Sequence, residues 1–206
     1  MIPSFVGRHG AWRTAALLAI GLCVACGHAP SEGPLAVQAA ALPSAAPAAT
    51  PSAGCLASGD GYLRANLDGA IEAHLDWPNS GTKCEGESRG SPPGVRLSFR
   101  RDKANPDLLL VFGLTGVQPG AAAHEVAANV TVIVQGTAGI YGTQGDSRCT
   151  VDSLEQRPLD NSGTYRIEAR GFCTQPAHAV RGSGDILIST FEFAGPVAYL
   201  TDSDKD

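Results

Sequence analysis

The chain has 206 residues, 17% of them charged and 43% hydrophobic, with a formal net charge of −5. Its acidic balance carries no basic stripe, which excludes nucleic acid as a partner and direct electrostatic docking on anionic lipid.

Arg8 and Arg13 precede the apolar run from Ala15 to Leu22, which closes on Val24-Ala25-Cys26-Gly27. A positive start, a short apolar core and small residues before a cleavage point describe a secretory signal. At about 11 residues the apolar core is too short to cross a bilayer, which needs roughly 20. The block around Cys26 resembles the lipobox of bacterial lipoproteins, in which a cysteine after a small residue receives a diacylglycerol. Cys23 stands three positions before it, where that family usually has Leu. The resemblance covers the signal alone. It implies that residues 1–25 are removed, that Cys26 is lipidated, and that the protein is exported and membrane-anchored through the lipid. Gly27, where Asp would mark retention at the inner membrane, implies the outer membrane, on its periplasmic or surface face. Cleavage elsewhere, for example after Ala29, is the alternative. Loss of Arg8 and Arg13 takes the charge from −5 to −7.

Residues 27–54 carry Pro30, Pro34, Pro43, Pro47 and Pro51 among many alanines, with almost no charge. Proline at such intervals prevents a long helix, and nothing there can build a core. Residues 26–54 therefore read as a lipidated cysteine followed by a disordered tether. Such a tether spans about 30 Å as a coil and roughly 85 Å in polyproline form.

Residues 55–200 have the size of one domain, able to bury roughly two thirds of its unfolded surface. Period-two alternation runs from Gly61 to Trp77, with Leu63, Ala65, Leu67, Ile71, Ala73, Leu75 and Trp77 on one face. A two-residue turn at Asp68-Gly69 would split that apolar set between two faces. A single long strand bent at Gly69 keeps it together, as would a three-residue turn. Val95 to Phe99 alternates, Asp107 to Leu114 is continuously apolar and central, and Asn129 to Val134 is β-branched. Only residues 120–128 could form a helix, of a turn or two. Leu187, Ser189, Phe191, Phe193, Gly195, Val197 and Tyr199 alternate again, so the first and last strands are expected as neighbours with Gly69 and Gly195 at a shared corner. Pro196, lacking an N–H, belongs at an edge or bend. Seven to nine strands with Gly/Pro punctuation predict an all-β fold, an antiparallel β-sandwich or jelly roll. Residues 201–206 read as an acidic disordered tail. Asp202, Asp204 and Asp206 alternate as in a calcium loop but lack its glycine and closing carboxylate.

With Cys23 removed and Cys26 lipidated, Cys55, Cys84, Cys149 and Cys173 remain, and three pairings are open to them. Folding back on the turn Asp160-Asn161-Ser162-Gly163 sets opposite each other residues whose numbers sum to about 322 or 323. Cys149 and Cys173 meet that condition, at the cross-strand distance a disulfide needs. Cys55–Cys84 is then the second bridge.

No catalytic set, metal site or cofactor site emerges. Gly145-Asp146-Ser147 resembles the GDS block of SGNH hydrolases over three residues. No helix follows it and no histidine has an Asp three residues before it, so a base for Ser147 is missing. His74, His124 and His178 are widely separated, without the spacing of zinc ligands. His74 is expected on the polar face of its strand. Asn129-Val-Thr131 matches a glycosylation sequon but reads as strand. Trp77, Tyr62, Tyr141, Tyr165 and Tyr199 could stack on sugars, yet Trp77 and Tyr199 fit the apolar side of their strands. Arg148, Arg166 and Arg170 could form a small cationic patch, with Glu168 interposed. The expectation is a non-enzymatic cell-envelope lipoprotein whose sandwich serves interaction or support, with an unknown envelope protein or glycan as partner. A ligand or glycan-binding module is the alternative, followed by a hydrolase.

Overall fold

The computed structural model describes residues 54–145 and 148–199. Cys26, the signal, most of the tether, Asp146, Ser147 and the acidic tail lie outside the described residues. The domain is all-β, a sandwich-like body built from one largely antiparallel sheet of eleven strands. In chain order these are β1 (Tyr62–Gly69), β2 (Ala73–Pro78), β3 (Thr82–Arg89), β4 (Gly94–Arg101), β5 (Leu108–Thr115), β6 (Val126–Val134), β7 (Ile140–Gly142), β8 (Cys149–Pro158), β9 (Thr164–Cys173), β10 (Ala177–Arg181) and β11 (Asp185–Ala198). One layer runs β2-β1-β11-β9-β8, the other β3-β4-β5-β6-β7-β10. The layers join where β6 meets β8, where β10 meets β11, and at the single parallel pair Ala198↔Glu87. Between them the rings of Phe99 and Phe112 meet Phe191 and Phe193 at centroid distances of 4.7–5.3 Å. All four are buried.

The apolar face of residues 61–77 stays together, but not as one bent strand. β1 and β2 form a hairpin in which Leu63, Ala65 and Leu67 oppose Trp77, Leu75 and Ala73. The reversal takes residues 68–72, an odd number, so paired residues keep the same face. Gly69 sits at φ 119°, and a Cβ there would lie 2.4 Å from the Asp185 carbonyl oxygen. Only glycine lets the chain turn against β11 at that point.

β11 does neighbour β1, yet its alternation breaks. Asn66 pairs with Thr190 and Leu67 with Ile188, leaving Ser189 as a bulge. Before the bulge Ile186 and Ile188 are buried; after it Phe191, Phe193 and Val197 are. The extra residue flips the strand face, so Leu187 and Ser189 do not join the core row, and Ser189 Oγ donates to Asp68 Oδ2 at 3.0 Å. Nor do the glycines share a corner: Gly69 opposes Ile186, whereas Gly195 opposes Ile167 of β9. Pro196 falls between the last β1 pair, Tyr62↔Ala194, and the first β3 pair, so its missing donor sits where β11 changes neighbours. No helix forms at residues 120–128. Ala123 bridges Leu154 and β6 begins at Val126, because backbone pairing to β8 outweighs the helical preference of so short an alanine run.

Both disulfides form as expected, Cys149–Cys173 and Cys55–Cys84. The β8–β9 ladder holds Cys149 opposite Cys173, and a bulge past Val151 moves the later pairs from a sum of 322 to 323. The second bridge fastens the segment before β1 to β3. There the buried Asn79 acts as a hub: its side-chain oxygen accepts from Leu56 N (2.8 Å) and Gly61 N (3.1 Å), and its carbonyl accepts from Cys55 N (3.2 Å). The free edge of β2 is blunted, since Arg101 donates to the Asp76 carbonyl and Thr82 to that of Pro78.

Candidate functional site

Side chains that alternate away from the core of β2-β1-β11-β9-β8 build the most connected polar surface of the described residues. On β9, Ile167, Ala169 and Gly171 point inward, so Arg166, Glu168, Arg170 and Phe172 point outward. Arg166 is nonetheless only 7% exposed. The segment leading into β1 roofs it: Asp60 Oδ2 lies 2.9 Å from Nε, and the Asp60 carbonyl accepts from Nη2 at 3.3 Å. Glu168 Oε2 takes Nη1 at 2.5 Å. Arg157, directly opposite Arg166 across the β8–β9 ladder, pairs with the same Asp60. Two opposed cations would repel, and the shared carboxylate between them removes that cost.

The network continues across three more strands. Tyr62 Oη lies 3.0 Å from both Glu168 Oε1 and Glu192 Oε1. Arg64 pairs with Glu192 at 3.6 Å and Asp76 at 3.3 Å, and its guanidinium sits 4.7 Å from the Tyr62 ring centroid. Burial, then hydrogen bonding to the two carboxylates, holds the Tyr62 phenol above its ordinary range. Tyr62 therefore works as a fixed donor, since losing its proton would place a third anion between two others. A hydrogen bond from Ser58, then Arg166 and Arg157, hold Asp60 below its ordinary 3.8; Arg166 foremost, then Tyr62, hold Glu168 below its ordinary 4.5.

Depressed carboxylates stabilise the folded state above their unfolded values, and that contribution is lost as pH falls through the folded ones. The urea midpoint is expected to decline as pH drops below 4.5 and on past 3.8. Both carboxylates are about two fifths exposed, so solvent screens part of the effect. The double variant Asp60→Asn, Glu168→Gln should flatten that acid limb; an equally steep decline in the variant would assign the limb to other groups.

Three depressions mark this face, the smallest of about 220 Å³ between Glu155, Glu168, Arg170 and Glu192. One of about 360 Å³ lies over the Asp60–Arg166–Glu168 cluster. A third, about 370 Å³, is an open trough bounded by Phe172, Arg170, Arg64, His74, Asn66 and Thr190. In it His74 Nδ1 hydrogen-bonds Asn66 Oδ1, and Asn66 Nδ2 donates to Thr190 Oγ1 at 2.9 Å. His74 is thus on the polar face, as its parity requires. Trp77 is buried and Tyr199 packs against the core, its hydroxyl donating to Gln156 at 2.7 Å; burial pushes that phenol up to about 12. These two are not surface aromatics; Phe172 is, at 36% exposed. Its outward parity was readable beside Arg166 and Arg170, whereas nothing in the sequence marks Asp60 or Asn79.

The cationic patch of Arg148, Arg166 and Arg170 does not form. Arg166 is neutralised, and Arg148 Nε donates to the Gln144 carbonyl at 2.6 Å. Of these three, only Arg170 keeps a guanidinium with no hydrogen bond or ion pair among the described residues. His124 contacts the Asp152 carbonyl and His178 contacts Asp185, so the two are not brought together. Among the described residues no His/Cys/Asp/Glu group of three or more could hold a metal ion. Compared with protein-family models, curated proteins and solved structures, the chain finds no match.

Proposed function

We propose that this protein is an exported cell-envelope lipoprotein whose sandwich domain is a binding module, anchored through Cys26 and presenting the outer face of β2-β1-β11-β9-β8 to its partner. The observation that carries the reading is the preorganisation of that face. Its arginines other than Arg170, its carboxylates and Tyr62 are cross-braced over five strands before any partner arrives, which lowers the ordering cost of binding. Two disulfides favour an oxidising compartment, in agreement with the leader. The ligand or glycan-binding version of this reading is favoured by one feature, the trough beside the exposed Phe172.

Anchoring is tested in cells of the native type. Globomycin or Cys26→Ala should block maturation and shift the protein out of the membrane fraction. Unaltered processing and partitioning would remove Cys26 from the scheme and leave ordinary secretion. Photo-crosslinkers placed on β9 and β1 should capture the partner, while the same probe at Leu109 on the other layer should not.

A further inference from the structure

The trough beside Phe172 has a chemistry that narrows its ligand. Its exposed plate is the Phe172 ring; Ala65, Gly171 and the buried Phe191 share the largely apolar lining, and hydrogen-bonding groups stand around it. An aromatic face carries negative quadrupole density, which attracts the weakly positive C–H groups on the flat side of a pyranose ring. Across the trough, the His74–Asn66–Thr190 chain fixes directions: Asn66 Oδ1 and Thr190 Oγ1 are occupied as acceptors. That leaves the Thr190 O–H and the second Asn66 N–H free to donate to ring hydroxyls. Glu192 and Asp152, also on the lining, supply acceptors. Small aromatic or aliphatic ligands favour enclosed apolar cavities; an open trough with one plate and a polar rim suits an amphipathic ring.

Arg170 adds charge selectivity. It stands two residues from Phe172 on the same face of β9, about 6.7 Å along the strand. Arg64, the other cation of the trough, is committed to Asp76 and Glu192, whereas the Arg170 guanidinium is unpaired among the described residues. A planar guanidinium is suited to a carboxylate, which it can hold through two parallel hydrogen bonds. We propose that the trough binds a carboxylate-bearing sugar, its ring stacked on Phe172 and its carboxylate held by Arg170. This rests on the reading of the outer face as a binding surface.

The test uses the full domain with both disulfides intact. Methyl β-D-glucuronide and neutral methyl β-D-glucoside are titrated to about 20 mM, a range that reaches millimolar dissociation constants, with amide chemical shifts as the readout. The acid should shift residues around Phe172, Arg170, Asn66 and Thr190, and the neutral sugar should bind several-fold more weakly. Phe172→Ala should weaken both sugars about tenfold, the order of one good contact. Arg170→Gln, on the surface and compatible with folding, should erase the preference for the acid while sparing residual ring binding. No shifts in the trough, equal response to both sugars, or a preference that survives Arg170→Gln would each overturn the assignment. A crosslinker at position 172 separates this from the broader reading. Capture of a protein and no glycan in intact cells overturns the sugar site and keeps the binding face. Capture of nothing from any position on the face overturns both.

Discussion

Reduction of both disulfides should take away most of the domain's stability. The bridges join residues 29 and 24 positions apart in sequence, and constraint of the unfolded chain gives about 3.5 kcal/mol for each. The loops they close, 55–84 and 149–173, do not overlap, so the two contributions are independent and sum to roughly 7 kcal/mol. Domains of this kind have about 5–15 kcal/mol in total. Urea unfolding with and without reductant, and in the single-bridge variants Cys55→Ser with Cys84→Ser or Cys149→Ser with Cys173→Ser, measures each share. A reduced protein with an unchanged midpoint would show that the sheet alone carries the fold. Loss of Cys149–Cys173 has a local consequence too. Cys173 follows Phe172 directly, so opening Cys149–Cys173 releases the end of β9 that forms one wall of the trough.

Asn79→Leu is the second large effect. Asn79 is 7% exposed, and its side-chain oxygen is the partner of two backbone donors, Leu56 N and Gly61 N. A leucine of similar size keeps the volume but leaves both donors without an acceptor. Each orphaned buried donor costs about 1–3 kcal/mol, so the expected loss is roughly 2–6 kcal/mol. The damage centres on the strap of residues 54–61, which also carries Asp60 over Arg166. Asn79→Asp retains an acceptor oxygen for both donors and should lose clearly less. Equal losses in the two variants, read as urea midpoints at neutral pH, would mean that side-chain shape and not hydrogen bonding sets the role of Asn79. Hydrogen exchange at Leu56 and Gly61 gives a local check, since both amides should lose protection in the leucine variant alone.

The legibility of this domain in its sequence varied from element to element. Alternation from Leu63 to Trp77 named the buried face correctly, because period two follows from strand geometry alone. It did not say whether the chain reverses, since a straight strand and a hairpin with an odd-length loop produce the same parity. The pairing of Cys149 with Cys173 was legible because a turn signal and two flanking strands fix a register by arithmetic. β11 defeated the same method: its alternation is written through Ser189, and only pairing with β1 makes that residue a bulge that exchanges faces. Arg166, Glu168 and Arg170 were visible as outward residues of one strand. The burial of Arg166 was not, because the carboxylate that roofs it, Asp60, is separated from it by more than a hundred residues.

What the sequence by itself determined is local or periodic: a chain rich in strands, the core-facing residues of β1, and one disulfide. Tertiary structure decided the rest. It selected which strands lie side by side, which turned Tyr62, Arg64, Glu168 and Glu192 into one network and left Phe172 and Arg170 at the rim of a trough. The reason is physical: strand parity depends on neighbouring residues, whereas charge neutralisation and burial depend on which distant strands share a face.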